Sequence, residues 1–120
     1  MSYQTTITKK PGQSPKSEAF WPESGEIPYL NIKDTVKGNI EAVYLGNVFE
    51  PGHALKKVIL WVNEEGKLLG LPPNFHMDLV GLINGPVMFT SSKGELTVGL
   101  SDTEIEAVEA FLDSVKVCQI

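Results

Sequence analysis

The apolar run Val58–Val62 constrains the chain most. Lys56-Lys57 precede it and Asn63-Glu64-Glu65 follow it. Such a run falls far short of the roughly 20 residues needed to span a membrane. It reads instead as a strand, Lys57–Val62, covered on both faces and therefore central in a sheet. The remaining segments must supply its neighbours. Residues 3–9 alternate weakly and are rich in β-branched residues. Lys10-Pro-Gly-Gln-Ser-Pro-Lys16 carries turn chemistry, and Glu18–Trp21 can return as a hairpin partner. A flexible arm over residues 1–22 is the alternative. In Asn39–Leu45, Ile40, Ala42 and Tyr44 alternate with Glu41, Val43 and Leu45, which reads as a strand covered in part on both faces.

Helical segments are fewer. The stretch after Pro28 has Leu30, Ile32 and Val36 on a partial apolar face, and Gly38 suits a left-handed terminator. Residues 75–84 place Phe75, Leu79, Leu82 and Ile83 on one side of a short helix, with Asn74 as its cap and Gly85-Pro86 ending it. The clearest helix begins at Ser101. Ser101 and Glu104 form the capping-box pattern, and Ile105, Val108, Phe111, Leu112 and Val115 recur at helical spacing. Val87–Thr90 and Glu95–Val98 read as strands joined by a turn at Ser91–Gly94. The expected fold is α+β: a mainly antiparallel sheet of short strands, the C-terminal amphipathic helix and one or two short helices. The 120 residues suit a single domain.

Charge limits function. All ten basic residues are lysine. Residues 1–16 hold three lysines and no acid, whereas residues 17–120 hold seven lysines and fifteen acids. An acidic body repels phosphate backbones, and the missing arginine removes the main bidentate reader of guanine. Generic nucleic-acid binding is therefore disfavoured. Cys118 is the only cysteine, which excludes an internal disulfide and fits a reducing compartment. No apolar leader of the secretory type is visible, so the expected location is the cytoplasm, with no membrane association.

Catalytic and metal motifs are absent from the sequence. His53, His76 and Asp78 lack ligand spacing, so no metal and no cofactor is expected. Ser91, Ser92 and Ser101 are accounted for as turn or cap residues, and a nucleophilic enzyme is disfavoured. The unusual stretch is Asn63-Glu-Glu-Gly-Lys-Leu-Leu-Gly-Leu-Pro-Pro-Asn74. It reads as a type I turn with Gly66 left-handed, a return strand Lys67–Leu71, and a Pro72-Pro73 stop. Turn and capping chemistry account for its Asn, Gly and Pro residues. The functional alternative is a preorganised loop that presents Asn63, Glu64, Lys67, Pro72, Pro73, Asn74 and the nearby His76. Trp61 reads as core. Trp21, beside Pro22, is the candidate for an exposed aromatic contact, or else covers a sheet edge.

The same stretch resembles a family of small proteins, a domain of unknown function, found in phages, plasmids and bacterial genomes. Its members carry N-E-x-G-K-L-x-G-L-P-P-N after an apolar strand. Gly38–Leu45, Gly85–Phe89 and Leu100–Ile105 extend the resemblance. Many members have a basic residue after the final Asn of this segment, where Phe75 stands here. The resemblance implies a mobile-element context and no particular activity. The leading expectation is a small non-enzymatic module that binds a host or phage protein through the Asn63–Asn74 loop. One alternative is a sequestering protein for nucleotide-like anions, using Lys67, Asn74 and backbone N–H groups. Another is an acidic mimic of DNA built on the C-terminal helix. Exposed sheet edges also leave room for homo-oligomers.

Overall fold

The computed structural model describes residues 4–20, 25–50, 52–77 and 80–117. A six-stranded antiparallel sheet holds β1 (Gln4–Lys9), β2 (Lys16–Phe20), β3 (Ile40–Tyr44), β4 (Ile59–Asn63), β7 (Val87–Lys93) and β8 (Leu96–Val98). Its order is β2-β1-β7-β4-β3, with β8 pairing β7 beside this path. A three-stranded sheet orders β6 (Gly81–Asn84), β5 (Pro73–Met77) and β9 (Lys116–Val117). The helices are α1 (Tyr29–Val36) and α2 (Asp102–Ser114). The expected α+β class is observed.

Strand β4 sits between β7 and β3, and all five of its residues are buried. Its alternation divides the interior into two layers. Ile59 and Trp61 face α1, where they join Ile27, Ile32, Val36 and Met88. Leu60 and Val62 face the other way, toward Phe75, Ile83, Val108 and Leu112 of the second sheet and α2. Trp61 is core, as expected, and its Nε1–H donates to Thr90 Oγ1 at 2.9 Å. The α2 start matches the capping box: Ser101 Oγ accepts from the Glu104 N–H, and Glu104 Oε1 accepts from the Ser101 N–H. The N-terminal hairpin forms between β1 and β2, pairing Gln4 with Phe20 and Thr8 with Lys16.

Several local expectations are corrected. Residues 75–77 and 81–84 do not form the expected helix. They belong to strands β5 and β6, with Phe75 opposite Ile83 and His76 opposite Leu82. A period of two wins here: Phe75 and Met77 are buried while His76 is exposed. Gly81, at φ 101°, begins the return strand. Leu79, counted on the helical face, lies outside the described residues. Pro73 does not stop pairing but opens β5, the first-residue position where a missing N–H is tolerated. The left-handed residue after α1 is Lys37, at φ 68°, rather than Gly38. Gly38 is needed for room, because a Cβ there would lie 2.7 Å from Asn63 Nδ2. Finally, β7 runs on through Ser91–Lys93, so the turn contracts to Gly94-Glu95, with Lys93 opposite Leu96.

The hairpin assignment makes Phe75, fully buried, a core residue instead of a cap-proximal helical one. Phe75→Ala should therefore cost about 3–5 kcal/mol in urea unfolding. A loss below about 1 kcal/mol, as at surface sites, would contradict this placement.

Candidate functional site

The turn that follows β4 begins with a side chain. Asn63 Oδ1 accepts from the Glu65 N–H at 2.8 Å, while Asn63 Nδ2 donates to the Val36 carbonyl at the end of α1. Two further bonds close the first bend, Glu64 N–H to the Asn39 carbonyl and Gly66 N–H to the Asn63 carbonyl. Asn63 is thus buried and has both polar ends engaged. The chain does not then form the expected strand over Lys67–Leu71. Leu71 N–H reaches back to the Gly66 carbonyl and Gly70 N–H to the Lys67 carbonyl. With Gly70 at φ 68°, these are the 6→1 and 5→2 bonds of a Schellman closure. Residues 64–70 are consequently one helix-like turn, and Gly70 is the left-handed position instead of Gly66. Gly66 is required for a different reason: a Cβ there would lie 2.6 Å from the Asn84 carbonyl oxygen.

Behind the turn, the end of the segment enters the interior. The register of β5 against β6 slips between Pro73 and Phe75, so Asn74 occupies a β-bulge. A bulge lets consecutive residues turn inward, and both Asn74 and Phe75 are fully buried. Asn74 Nδ2 donates to the carbonyls of Lys9 and Gly85, each at 2.9 Å. Asn74 Oδ1 accepts from Lys9 Nζ, also at 2.9 Å. Lys9, 2% exposed, donates in addition to the Lys10 carbonyl. The amide thereby ties β1 to β5 and to the connection between β6 and β7. The Pro72 carbonyl accepts from the Gly85 N–H, which pins the same junction.

What remains exposed is the tip. Glu64, Lys67, Leu68 and Leu69 face solvent, with Leu68 83% and Leu69 58% exposed. Beside the tip lies an open cleft of about 430 Å³. Val43, Val62 and Ile83 line its apolar part, and Val80 and Leu82 rise on the β5–β6 side. Glu41, Glu64, Glu65 and Lys67 supply its charge.

The sequence-derived candidates therefore divide. Asn63, Glu64 and Lys67 meet at the cleft, whereas Pro72, Pro73 and Asn74 lie behind the turn and His76 sits on the exposed side of β5. Trp21 lies outside the described residues. His53 is elsewhere, stacked on Phe49 at a centroid distance of 4.4 Å, with Nδ1 accepting from the Leu55 N–H. Ser91 donates to Glu104 and Ser92 to the Lys57 carbonyl. Sequence reasoning missed Glu41, Val80 and Leu82. Glu41 was visible as one face of an alternating strand. Val80 and Leu82 were hidden by the helical reading of residues 75–84.

Fold and cleft together define an α+β protein with two sheets, in which the exposed turn after β4 borders an acid-lined groove. Residues 5–113 match the family described as a domain of unknown function, DUF3846, and the chain belongs to that family. No curated protein matches the chain, and no solved structure does. Among the described residues, no helix is long and apolar enough to cross a membrane.

The two glycines of the turn should respond differently to a methyl group. Gly70→Ala meets open space and bears only the left-handed strain, about 1 kcal/mol. Gly66→Ala must push a backbone carbonyl and should lose more. Equal losses in parallel thermal melts would contradict the turn geometry.

Proposed function

We propose that the protein is a non-enzymatic binding module that engages a host or phage protein in the cytoplasm, within a mobile-element context. The observation that carries this reading is the division of labour in the Asn63–Asn74 segment. Its asparagines and glycines hold the backbone, while adjacent leucines at the tip are left in water. Apolar side chains set on a rigid turn beside an apolar-floored cleft are the arrangement used for protein contact. Rigidity matters because a preformed surface loses little conformational entropy when a partner binds.

The anion-binding alternative is less well supported. Asn74 has its amide engaged in the interior, and Lys67 shares the cleft with Glu41, Glu64 and Glu65. Three carboxylates around one ammonium repel a phosphate. Mimicry of DNA by α2 draws no support from its packing, since Glu104 caps its own helix and accepts from Ser91.

The test is affinity capture from lysate of the cell that carries the gene, comparing the wild type with the double variant Leu68→Asp/Leu69→Asp. The substitutions fall on exposed side chains, so the melting temperature should hold while the retained partner falls at least about tenfold, a loss typical of one contact hot spot. Equal retention by both proteins, or no retained partner, would overturn the reading.

A further inference from the structure

Strand β3 is the last strand of its sheet and pairs with β4 alone among the described strands. The bonds that flank this pair fix its parity. Glu64 N–H donates to the Asn39 carbonyl and Leu45 N–H to the Val58 carbonyl, so residues 41 and 43 exchange bonds with β4. Ile40, Ala42 and Tyr44 therefore direct their N–H and C=O groups away from the sheet. Natural edges are commonly blunted by proline, lysine or a bulge. Strand β3 contains neither residue, and its register with β4 is regular from Ile40 to Tyr44.

The cleft lies on the side of this edge that faces the second sheet. Glu41 and Val43 line it from β3, while Val80 and Leu82 line it from the β5–β6 hairpin, 39% and 36% exposed. The hairpin thus supplies apolar surface where a strand beyond β3 would run. A strand laid along β3 would continue the first sheet, take up the outward N–H and C=O groups, and cover these side chains. Charge selects the occupant. Glu41, Glu64 and Glu65 against Lys67 leave the cleft acidic, and a cross-strand residue opposite Glu41 is favoured when basic. The next cleft-facing residue would meet Val43 and is favoured when aliphatic.

We infer that the cleft receives one extended segment of a partner protein by strand addition to β3, with basic and aliphatic residues alternating on the side that faces the cleft. This rests on the protein-binding reading and names the chemistry of the partner. Main-chain bonds supply affinity in such additions, and side-chain pockets supply selectivity.

The probe is the peptide acetyl-Lys-Thr-Val-Thr-Lys-Thr-amide, with acetyl-Glu-Thr-Val-Thr-Glu-Thr-amide as its charge-reversed control. Amide hydrogen exchange of the full chain is followed by NMR as each peptide is added. At saturating basic peptide, exchange at Ala42 and Tyr44 should slow by about tenfold or more, since an amide in water becomes a ladder donor. The acidic peptide should leave both amides unchanged. Three results would overturn the inference: no protection, equal protection by both peptides, or protection that rises with protein concentration without peptide. The last would assign the edge to a second copy of the chain. If the peptide fails while Leu68→Asp/Leu69→Asp still abolishes capture, strand addition falls and the protein-binding reading stands.

Discussion

The buried bonds around Asn74 hold the two sheets against each other. One amide side chain meets the Lys9 ammonium, the Lys9 carbonyl and the Gly85 carbonyl at the junction of the two sheets. Burying an ammonium and two carbonyls is costly unless they are hydrogen-bonded. The amide supplies donors to both carbonyls and an acceptor to the ammonium. It also holds the β-bulge that turns Phe75 into the core. The position of the β5–β6 hairpin over the first sheet follows from that bulge, and so does the wall of the cleft.

A second junction does the same at the other end of the segment. Asn63 joins the turn to the end of α1, and Gly38 leaves it the space to do so. Between these anchors the chain is short, and the Schellman closure at Gly70 keeps it compact. The result is a tip whose side chains have little structural work. Buried anchors and exposed tip thus come from one stretch of twelve residues, Asn63–Asn74. The residues that looked chosen for backbone geometry are those that geometry explains. Glu64, Lys67, Leu68 and Leu69 are left in solvent.

Much of this architecture was legible in the sequence. The Val58–Val62 run placed β4 inside the sheet, the S-x-x-E pattern placed α2, and turn chemistry placed the N-terminal hairpin. The errors share a cause. In residues 75–84, four apolar positions fit a helical face, and a local periodicity cannot reveal that Asn74 is held by Lys9, 65 positions away. Likewise Gly66 resembled a left-handed turn residue, although its requirement is set by the carbonyl of Asn84 across the fold. Of the candidate site, Asn63, Glu64 and Lys67 were within reach of sequence reasoning. The cleft itself was not, because strands β3 and β6 that flank it meet only through tertiary packing.

A double-mutant cycle between Lys9 and Asn74 measures whether the buried ammonium and amide act as one unit. Lys9→Met and Asn74→Leu each remove one side of the network while keeping similar volume, and urea unfolding of both singles and the double gives the coupling. The double variant should be more stable than the sum of the single losses implies, by about 1 kcal/mol or more, as for groups in one buried network. Additive losses would show that the amide and the ammonium act independently and that the junction is not one network.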